Sequence, residues 1–274
     1  MIKISPEIKR RIKLVVQEGP TAIYHYLISY VTYLSLRKEF QRNKAFMNSA
    51  EGKTVFIVGN GPSLKETNWA SIKGHDLIIM NDYCKIGHEM DHNIVAHCYG
   101  EPSNSSSWET GQVETVINEQ ISKSYWLHSS SVRHFADHEK KNTIYYVHPG
   151  FEAVLSFSRS IRLDRLALSY DTTAQMAIQL ALFMGYKRIG LLGLDHDWPF
   201  SGSYLKHYYS SGQDKNDHFG RKSMVELLTT YKHMWELYLA LAASAKKHKA
   251  LIYNLNYHSK LDVFDKSTLE EFIR

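Results

Sequence analysis

Short apolar runs alternate with helical stretches along the chain after Gly52. Seven runs are rich in β-branched and aromatic side chains, which is typical of strands: 53–58, 76–80, 93–97, 124–128, 143–147, 188–192 and 250–254. Helical patterns lie between several of them, most clearly at 173–184 and at about 222–247. Strands that are apolar on both faces and separated by helices predict a doubly wound, mainly parallel α/β sheet of the Rossmann-like type.

The first fifty residues differ in character and predict a helical appendage, 1–50, on a single domain, 51–274. Sixteen uncharged residues, 21–36, separate two basic clusters. This run is shorter than the ~20 apolar residues that a spanning helix needs, and no secretory cleavage site follows it. Two interpretations stay open. In the first, the four tyrosine rings of 21–36 and the flanking basic residues bind the headgroup layer of an anionic inner membrane. In the second, the helices pack on the body or on a second subunit.

The formal net charge of +5 belongs to this appendage. Residues 1–50 hold nine Lys or Arg and three Glu, a net charge of +6, so the remaining 224 residues sum to −1. A nearly neutral body argues against a nucleic-acid partner. The two cysteines form neither a CxxC motif nor a disulfide framework, which favours a reducing, cytoplasmic setting.

The loops that follow the strands are where an open parallel sheet binds ligands. The first such loop reads GNGPS over 59–63. Its two glycines allow a tight turn with outward N–H groups, and a helix beginning near Leu64 would add partial positive charge for a phosphate. The loop is neither a Walker motif nor a dinucleotide fingerprint, and an ordinary turn is the alternative. The second strand ends at Asn81, which would bring an amide to the same edge.

A second group of polar residues surrounds the helix at 173–184. Thr172 or Thr173 can cap this helix, and its first N–H groups make a second anion site unless they serve the cap alone. Asp195 and Asp197 follow the next strand. They can hold a divalent metal, or they can order their loop by hydrogen bonds.

A long polar loop over 199–220 is the kind of segment that closes over a site. It contains Tyr204 and His218. An imidazole with a pKa near neutrality is suited to removing a proton from a sugar hydroxyl, so His218 is the candidate base. The other histidines lack HExxH-type spacing, and no zinc site is predicted.

Four blocks in order resemble one superfamily: FIVGNGPSLK, TTAQMAIQLALFMGYKRIGLLGLDHDW, NDHFG and IYNLNYHSKLDVF. It joins the bacterial lipo-oligosaccharide sialyltransferases to the MptE-like (6-hydroxymethylpterin diphosphokinase-like) proteins of surface-polysaccharide loci. The sialyltransferase resemblance implies a single GT-A-like domain, a CMP-activated sialic acid donor, inversion at the anomeric carbon and no metal. The MptE-like group includes an archaeal pterin pyrophosphokinase, for which Mg²⁺ and ATP would be required.

The loops and the resemblance together assign donor and nucleotide binding to residues at the strand ends. They are Gly59, Asn60, Gly61, Ser63, Asn81, Thr172, Thr173, Asp195 and Tyr204. By the resemblance, Tyr204 matches a tyrosine that holds the donor phosphate. Asp197 stands where the sialyltransferases have another such tyrosine, which is a departure from their pattern.

The leading hypothesis is an inverting glycosyltransferase of bacterial capsule, O-antigen or lipo-oligosaccharide. It would use a CMP-activated nonulosonic acid or related keto-sugar, a glycan or glycolipid acceptor, His218 as base and no cofactor. One alternative is a Mg²⁺-dependent pyrophosphokinase with Asp195 and Asp197 as metal ligands, and another is a non-catalytic nucleotide-sugar-binding scaffold. We expect a cytoplasmic protein, peripherally associated with the inner membrane, with homo-oligomers as an open alternative.

Overall fold

The computed structural model describes residues 20–86, 93–105, 108, 110–150, 161–197 and 223–274. Eight parallel strands form one sheet in the order β5-β4-β3-β2-β1-β6-β7-β8. The strands are β1 Thr54–Val58, β2 Asp76–Met80, β3 Asn93–Tyr99, β4 Tyr125–His128, β5 Ile144–Val147, β6 Arg188–Leu192, β7 Leu251–Asn254 and β8 Asp265–Lys266. The helices are α1 Pro20–Ser35, α2 Arg37–Arg42, α3 Thr110–Glu119, α4 Thr173–Met184, α5 Met224–Lys247 and α6 Leu269–Ile273.

Helices cover both faces of the sheet, as the apolar runs predict. Val55 and Ile57 of β1 join the core cluster that contains α4 and α5, whereas Phe56 and Val58 join the cluster that contains α6. All seven predicted strands are confirmed, with small shifts at their ends. The doubly wound α/β prediction is therefore correct.

Helix α4 is the most enclosed helix of the core, and all twelve of its residues are buried. Its first turn is closed by a capping box in which Thr172 Oγ1 accepts the N–H of Gln175 and the Gln175 side chain accepts the N–H of Thr172. Gly185 ends it with φ +91°, the left-handed conformation that glycine adopts without strain. The helix start is thus fixed at the carboxyl edge of the sheet.

The helix expected after the glycine loop is not an α-helix. Residues Pro62–Glu66 form a five-residue 3₁₀ helix. So short an element aligns too few peptide dipoles for a macrodipole. The helix predicted to begin near Leu64 is therefore a short 3₁₀ helix, and anion binding at 59–63 stays a prediction.

Residues 37–50 pack on the outer edge of β5. The buried Asn43 donates from Nδ2 to the carbonyl oxygens of Tyr146, 2.8 Å away, and Leu163, 2.6 Å away. Phe40 is completely buried in the cluster that contains β3, β4 and β5. The last part of the predicted appendage thus contacts the sheet, while the domain boundary at residue 50 stays a prediction.

Helix α1 carries several large apolar side chains that are exposed. Leu27, Val31 and Leu34 are 54%, 62% and 52% exposed. Within the ranges that the structure describes, no helix is both long enough and apolar enough to cross a membrane.

Candidate functional site

A cavity of about 550 Å³ runs along the carboxyl ends of six neighbouring strands, and we call it the strand-end cavity. Its lining includes one residue at or after each strand from β6 to β5: Gly193, Gly59, Asn81, Gly100, His128 and Pro149. Five steps of about 4.8 Å between parallel strands give it a length of about 24 Å. That length exceeds the span of a nucleoside monophosphate.

The strand-end cavity brings together most of the predicted donor-binding residues. The predicted residues that line it are Gly59, Asn60, Gly61, Asn81, Thr172, Thr173 and Asp195. Ser63 is not part of this lining but hydrogen-bonds Asp195. Tyr204 and His218 lie outside the described residues, so their roles stay predictions.

Asp195 ties the glycine loop to the loop after β7. Its Oδ2 accepts the backbone N–H of Ser63 at 3.0 Å, and its Oδ1 accepts the Ser63 hydroxyl and Asn256 Nδ2, the latter at 2.8 Å. The carboxylate is therefore occupied by three donors of the chain itself. Asp195 orders its loop by hydrogen bonds, one of the two roles that the sequence leaves open.

The hydrogen bonds at this carboxylate bear on the alternative of a magnesium site. A metal ion on Oδ1 would compete with the hydrogen bonds from Ser63 and Asn256, whereas Oδ2 accepts a single hydrogen bond. Among the residues that the structure describes, no group of three or more His, Cys, Asp or Glu side chains is arranged to hold a metal. Metal binding by Asp195 and Asp197, which the kinase alternative needs, has no support among these contacts and stays a prediction.

Asn81 is held from two sides in a left-handed conformation with φ +47°. Its carbonyl oxygen accepts from His97 Nε2 at 2.8 Å, and its Oδ1 accepts from Thr173 Oγ1 at 3.0 Å. Thr173 Oγ1 in turn accepts the N–H of Gly100 at 3.1 Å. The Thr173 hydroxyl therefore positions Asn81, and the amide N–H groups of Asn81 Nδ2 are what this residue offers to a ligand.

The first turn of α4 supplies donors for an anion. Capping engages the N–H of Gln175, which leaves the N–H groups of Thr173 and Ala174, both on the cavity wall. The helix dipole adds partial positive charge at this point. Asn60, also on the wall, has a buried Oδ1 without a hydrogen-bond partner. The arrangement offers N–H donors for a phosphate next to a polar side chain whose acceptor is not used within the protein.

None of the described residues that line the strand-end cavity is Lys or Arg. Carboxylates are present on this wall at Glu101, Asp171 and Asp197. An anionic group bound by these residues must therefore be held by backbone N–H groups, amides and histidines rather than by fixed cations.

His196 connects three walls of the cavity. Its backbone is left-handed, with φ +49°, and its Nε2 lies 2.9 Å from the hydroxyl oxygen of Tyr238, which is 3.3 Å from Thr172 Oγ1. Burial lowers the pKa of His196 to about 4. The imidazole is therefore neutral at pH 7, and it links β6, α5 and the start of α4.

Four histidines share this neutral state. Burial lowers the pKa to about 4 for His97, His128, His148 and His196. In the unfolded chain each returns to about 6.5. Between these two values the unfolded state binds more protons than the folded state, so the free energy of unfolding falls as the pH drops below 6.5.

We therefore expect the thermal unfolding midpoint to fall between pH 7 and pH 5. His97→Gln removes a completely buried imidazole. The number of protons taken up on unfolding is therefore expected to fall by about one, which makes the dependence of stability on pH less steep. The exposed His134 provides the matched control, His134→Gln, with an unchanged pH slope. A midpoint that stays constant from pH 7 to pH 5 would contradict the four depressed pKa values.

Sequence reasoning missed three residues of this region. Asn256 bonds Asp195, His97 fixes Asn81, and His128 closes the far end of the cavity wall. His97 and His128 carried the same usable signal, since each ends a predicted strand, in the runs NIVAH and SYWLH. Together these observations define an α/β protein with an extended cavity at the carboxyl edge of a parallel sheet.

No protein-family model matches the sequence, and no curated protein matches it either. The chain is similar to the sialyltransferase CstII from Campylobacter jejuni in complex with CMP-3FNeuAc, at 19% identity over 78% of this chain and 85% of that chain, with a TM-score of 0.46. It is also similar to the MAf glycosyltransferase from Magnetospirillum magneticum AMB-1, at 14% identity over 85% of this chain but 38% of that chain, with a TM-score of 0.46. Likeness at this level assigns no chemistry to this chain.

Proposed function

We propose that the protein is a glycosyltransferase of bacterial surface polysaccharide that uses a CMP-activated nonulosonic acid or related keto-sugar. The observation that carries the proposal is one cavity that runs from the glycine loop past the N–H donors of α4 to the ends of β3, β4 and β5. The end near Asn60 and Asn81 suits a nucleotide and its phosphate, and about half of the length is left for a glycosyl group. The motif blocks that resemble sialyltransferases support CMP as the nucleotide.

In the proposed reaction, the acceptor hydroxyl oxygen forms a bond to the anomeric carbon while the bond from that carbon to the CMP phosphate oxygen breaks. The hydroxyl proton goes to His218, and CMP leaves with the bonding electrons. The N–H groups of Thr173 and Ala174 stabilise the charge that grows on the phosphate. A single displacement of this kind inverts the anomeric centre, and orientation in the cavity supplies much of the acceleration.

The pyrophosphokinase alternative is disfavoured by the contacts of Asp195. Phosphoryl transfer from ATP needs Mg²⁺ to neutralise charge, and the described acidic residues offer no fitting ligand set. A non-catalytic scaffold would bind the same nucleotide sugar, so only turnover separates it from the enzyme.

The test titrates the full-length protein with CMP, UDP, GDP and ATP, and then measures CMP release from CMP-sialic acid with and without glycan acceptors. We expect selective binding of CMP that EDTA does not weaken, followed by CMP release. Reaction of ATP with a pterin in the presence of Mg²⁺, without CMP binding, would establish the kinase instead. If the protein binds CMP but releases no CMP from any CMP-sugar, the non-catalytic scaffold is the remaining interpretation.

Two substitutions sharpen this test. Asn60→Ala removes a polar side chain from the cavity lining and is expected to weaken CMP binding about tenfold. Asn68→Ala is the matched control, because Asn68 lines a separate cavity of about 250 Å³. His218→Ala is expected to retain CMP binding and to lose turnover. Equal CMP affinity in the Asn60→Ala and Asn68→Ala variants would exclude Asn60 from the site.

Helix α1 supports the further proposal that the protein binds an anionic membrane surface. Tyr24, Leu27, Val31 and Leu34 recur at helical spacing and are more than half exposed; we call them the α1 stripe. The five Lys or Arg residues at 3–13 precede the helix, and Arg37 and Lys38 follow it. An exposed apolar face between basic clusters matches the chemistry of a headgroup layer that contains anionic lipids.

Sedimentation with phosphatidylglycerol vesicles tests the α1 stripe. The double substitution L27D/V31D is expected to weaken vesicle binding about tenfold, because both the apolar contact and the favourable charge are lost. Leu239→Asp is the control, since Leu239 is 50% exposed on α5. If L27D/V31D instead converts a dimer to a monomer without changing vesicle binding, the stripe is a subunit contact and the membrane proposal is wrong.

A further inference from the structure

Two histidines stand side by side at the end of the strand-end cavity that is farthest from β6. His128 ends β4, and His148 follows the neighbouring strand β5. Their ring centroids are 5.8 Å apart. His128 and Pro149 line the cavity itself. The pair therefore belongs to the part of the cavity that a nucleotide at the start of α4 leaves vacant.

One serine turn, Ser129–Ser131, orients both rings. The N–H of Ser130 donates to His128 Nδ1 at 3.1 Å, and the Ser130 hydroxyl lies 2.8 Å from the same atom. The hydroxyl of Ser129 lies 2.6 Å from His148 Nδ1. Because Nδ1 of His128 accepts a backbone N–H, the proton of the neutral ring is on Nε2. His128 thus presents an N–H donor, with its other nitrogen engaged by the turn.

This donor carries no charge at neutral pH, since burial and the neighbouring His148 lower the pKa of His128 to about 4. The carboxylates of Glu101 and Asp171 lie on the same cavity wall, and Asp171 also bonds His233. A hydroxyl group both donates and accepts hydrogen bonds. A neutral N–H donor and carboxylate acceptors that line one cavity therefore match a hydroxyl-rich ligand better than a second phosphate, which the carboxylates would repel.

His128 is also close to the predicted phosphate position. Its ring centroid is 6.4 Å from that of Tyr170, and Tyr170 precedes the helix cap Thr172 by two residues along one wall of the cavity. A group attached to a phosphate at the start of α4 would consequently reach His128 along this wall. The nucleotide itself, at Asn60 and Asn81, would not.

We propose that His128 is a specificity-determining residue that donates a hydrogen bond from Nε2 to a hydroxyl oxygen of the glycosyl group of the donor. His148 and the serine turn hold its ring in place. The inference rests on the proposed glycosyltransferase function and adds to it the residue that distinguishes an intact donor from CMP. His128 does not act as the base in this scheme, because its Nε2 already carries the proton.

The test compares the binding of CMP with the binding of intact CMP-sialic acid. His128→Phe is expected to leave the affinity for CMP unchanged within about twofold. The affinity for CMP-sialic acid is expected to fall about tenfold, with a matching rise in the KM for the donor. His128→Gln, which retains an N–H donor, is expected to recover part of the lost affinity. His134→Phe, on an exposed residue near the same turn, is the matched control. Thermal unfolding confirms that each variant is folded.

The possible outcomes distinguish a specificity role of His128 from a merely structural role and from failure of the proposed function. Equal weakening of CMP and CMP-sialic acid by His128→Phe would assign a merely structural role and overturn the inference, as would an unchanged affinity for both ligands. If His128→Phe does not fold, His128→Gln takes its place, and equal weakening of CMP and CMP-sialic acid by that variant would likewise overturn the inference. Failure of the wild-type protein to bind CMP at all would instead overturn the proposed function, and the inference with it.

Discussion

Gly59→Ala is expected to destabilise the protein by about 3 kcal/mol and to abolish nucleotide binding at micromolar concentrations. A Cβ at Gly59 would lie 2.5 Å from the carbonyl oxygen of Gly193. The two backbone segments cannot move apart, because β1 and β6 are paired central strands and the N–H of Gly59 donates to the carbonyl oxygen of Leu192 at 2.8 Å. The free energy of unfolding in urea and CMP titration measure the two effects.

Gly111→Ala is the matched control for this substitution. Gly111 lies in the first turn of α3, and a Cβ there would meet no atom within 4 Å. The change is expected to be neutral or to stabilise the protein by up to about 1 kcal/mol. Equal stability of the Gly59→Ala and Gly111→Ala variants would show that the close approach of β1 and β6 is not required.

Asp195→Ala is expected to have the second largest effect, again a loss of about 3 kcal/mol in unfolding free energy. The substitution leaves the N–H of Ser63 and the amide of Asn256 without their acceptor. Since the glycine loop loses its attachment to the loop after β7, CMP affinity is expected to fall about tenfold or more. Urea denaturation and isothermal titration are the measurements.

The Asp197→Ala variant distinguishes a hydrogen-bonding role of Asp195 from a role as metal ligand. Removing a carboxylate from the cavity wall is expected to change the stability by less than about 0.5 kcal/mol and to leave CMP affinity equal or slightly higher. A metal pair would behave differently, because either substitution would abolish Mg²⁺-dependent ATP binding. Observation of that shared loss would contradict the hydrogen-bonding role of Asp195.

Most of the sheet was predictable because its strands are buried on both faces. Runs such as KTVFIV at 53–58 and DLIIM at 76–80 need no tertiary information to be recognised. Strand β8 consists of Asp265 and Lys266 alone. Two charged residues carry no periodicity, so their pairing with β7 depends on the fold and has no local signature.

The site was predictable in outline but not in its connections. Parallel strands present their carboxyl ends at one edge, which is why Asn60, Asn81 and Thr173 could be grouped from sequence. The contact between Asp195 and Asn256 joins residues 61 positions apart, and the bond from Thr173 to Asn81 joins residues 92 positions apart. Such pairings follow from the crossover connections, and periodicity along the chain does not encode them.

The packing of residues 37–50 on β5 also determines how the protein behaves when it is shortened. Asn43 engages the outward carbonyl of Tyr146, and Arg42 donates to the carbonyl oxygens of Lys141 and Asn142 just before β5. Removal of residues 1–50 would open this sheet edge to strand pairing between molecules, and open edges promote aggregation. Soluble truncated forms should therefore begin before Arg37, and loss of function after a longer deletion would report self-association rather than a missing membrane anchor.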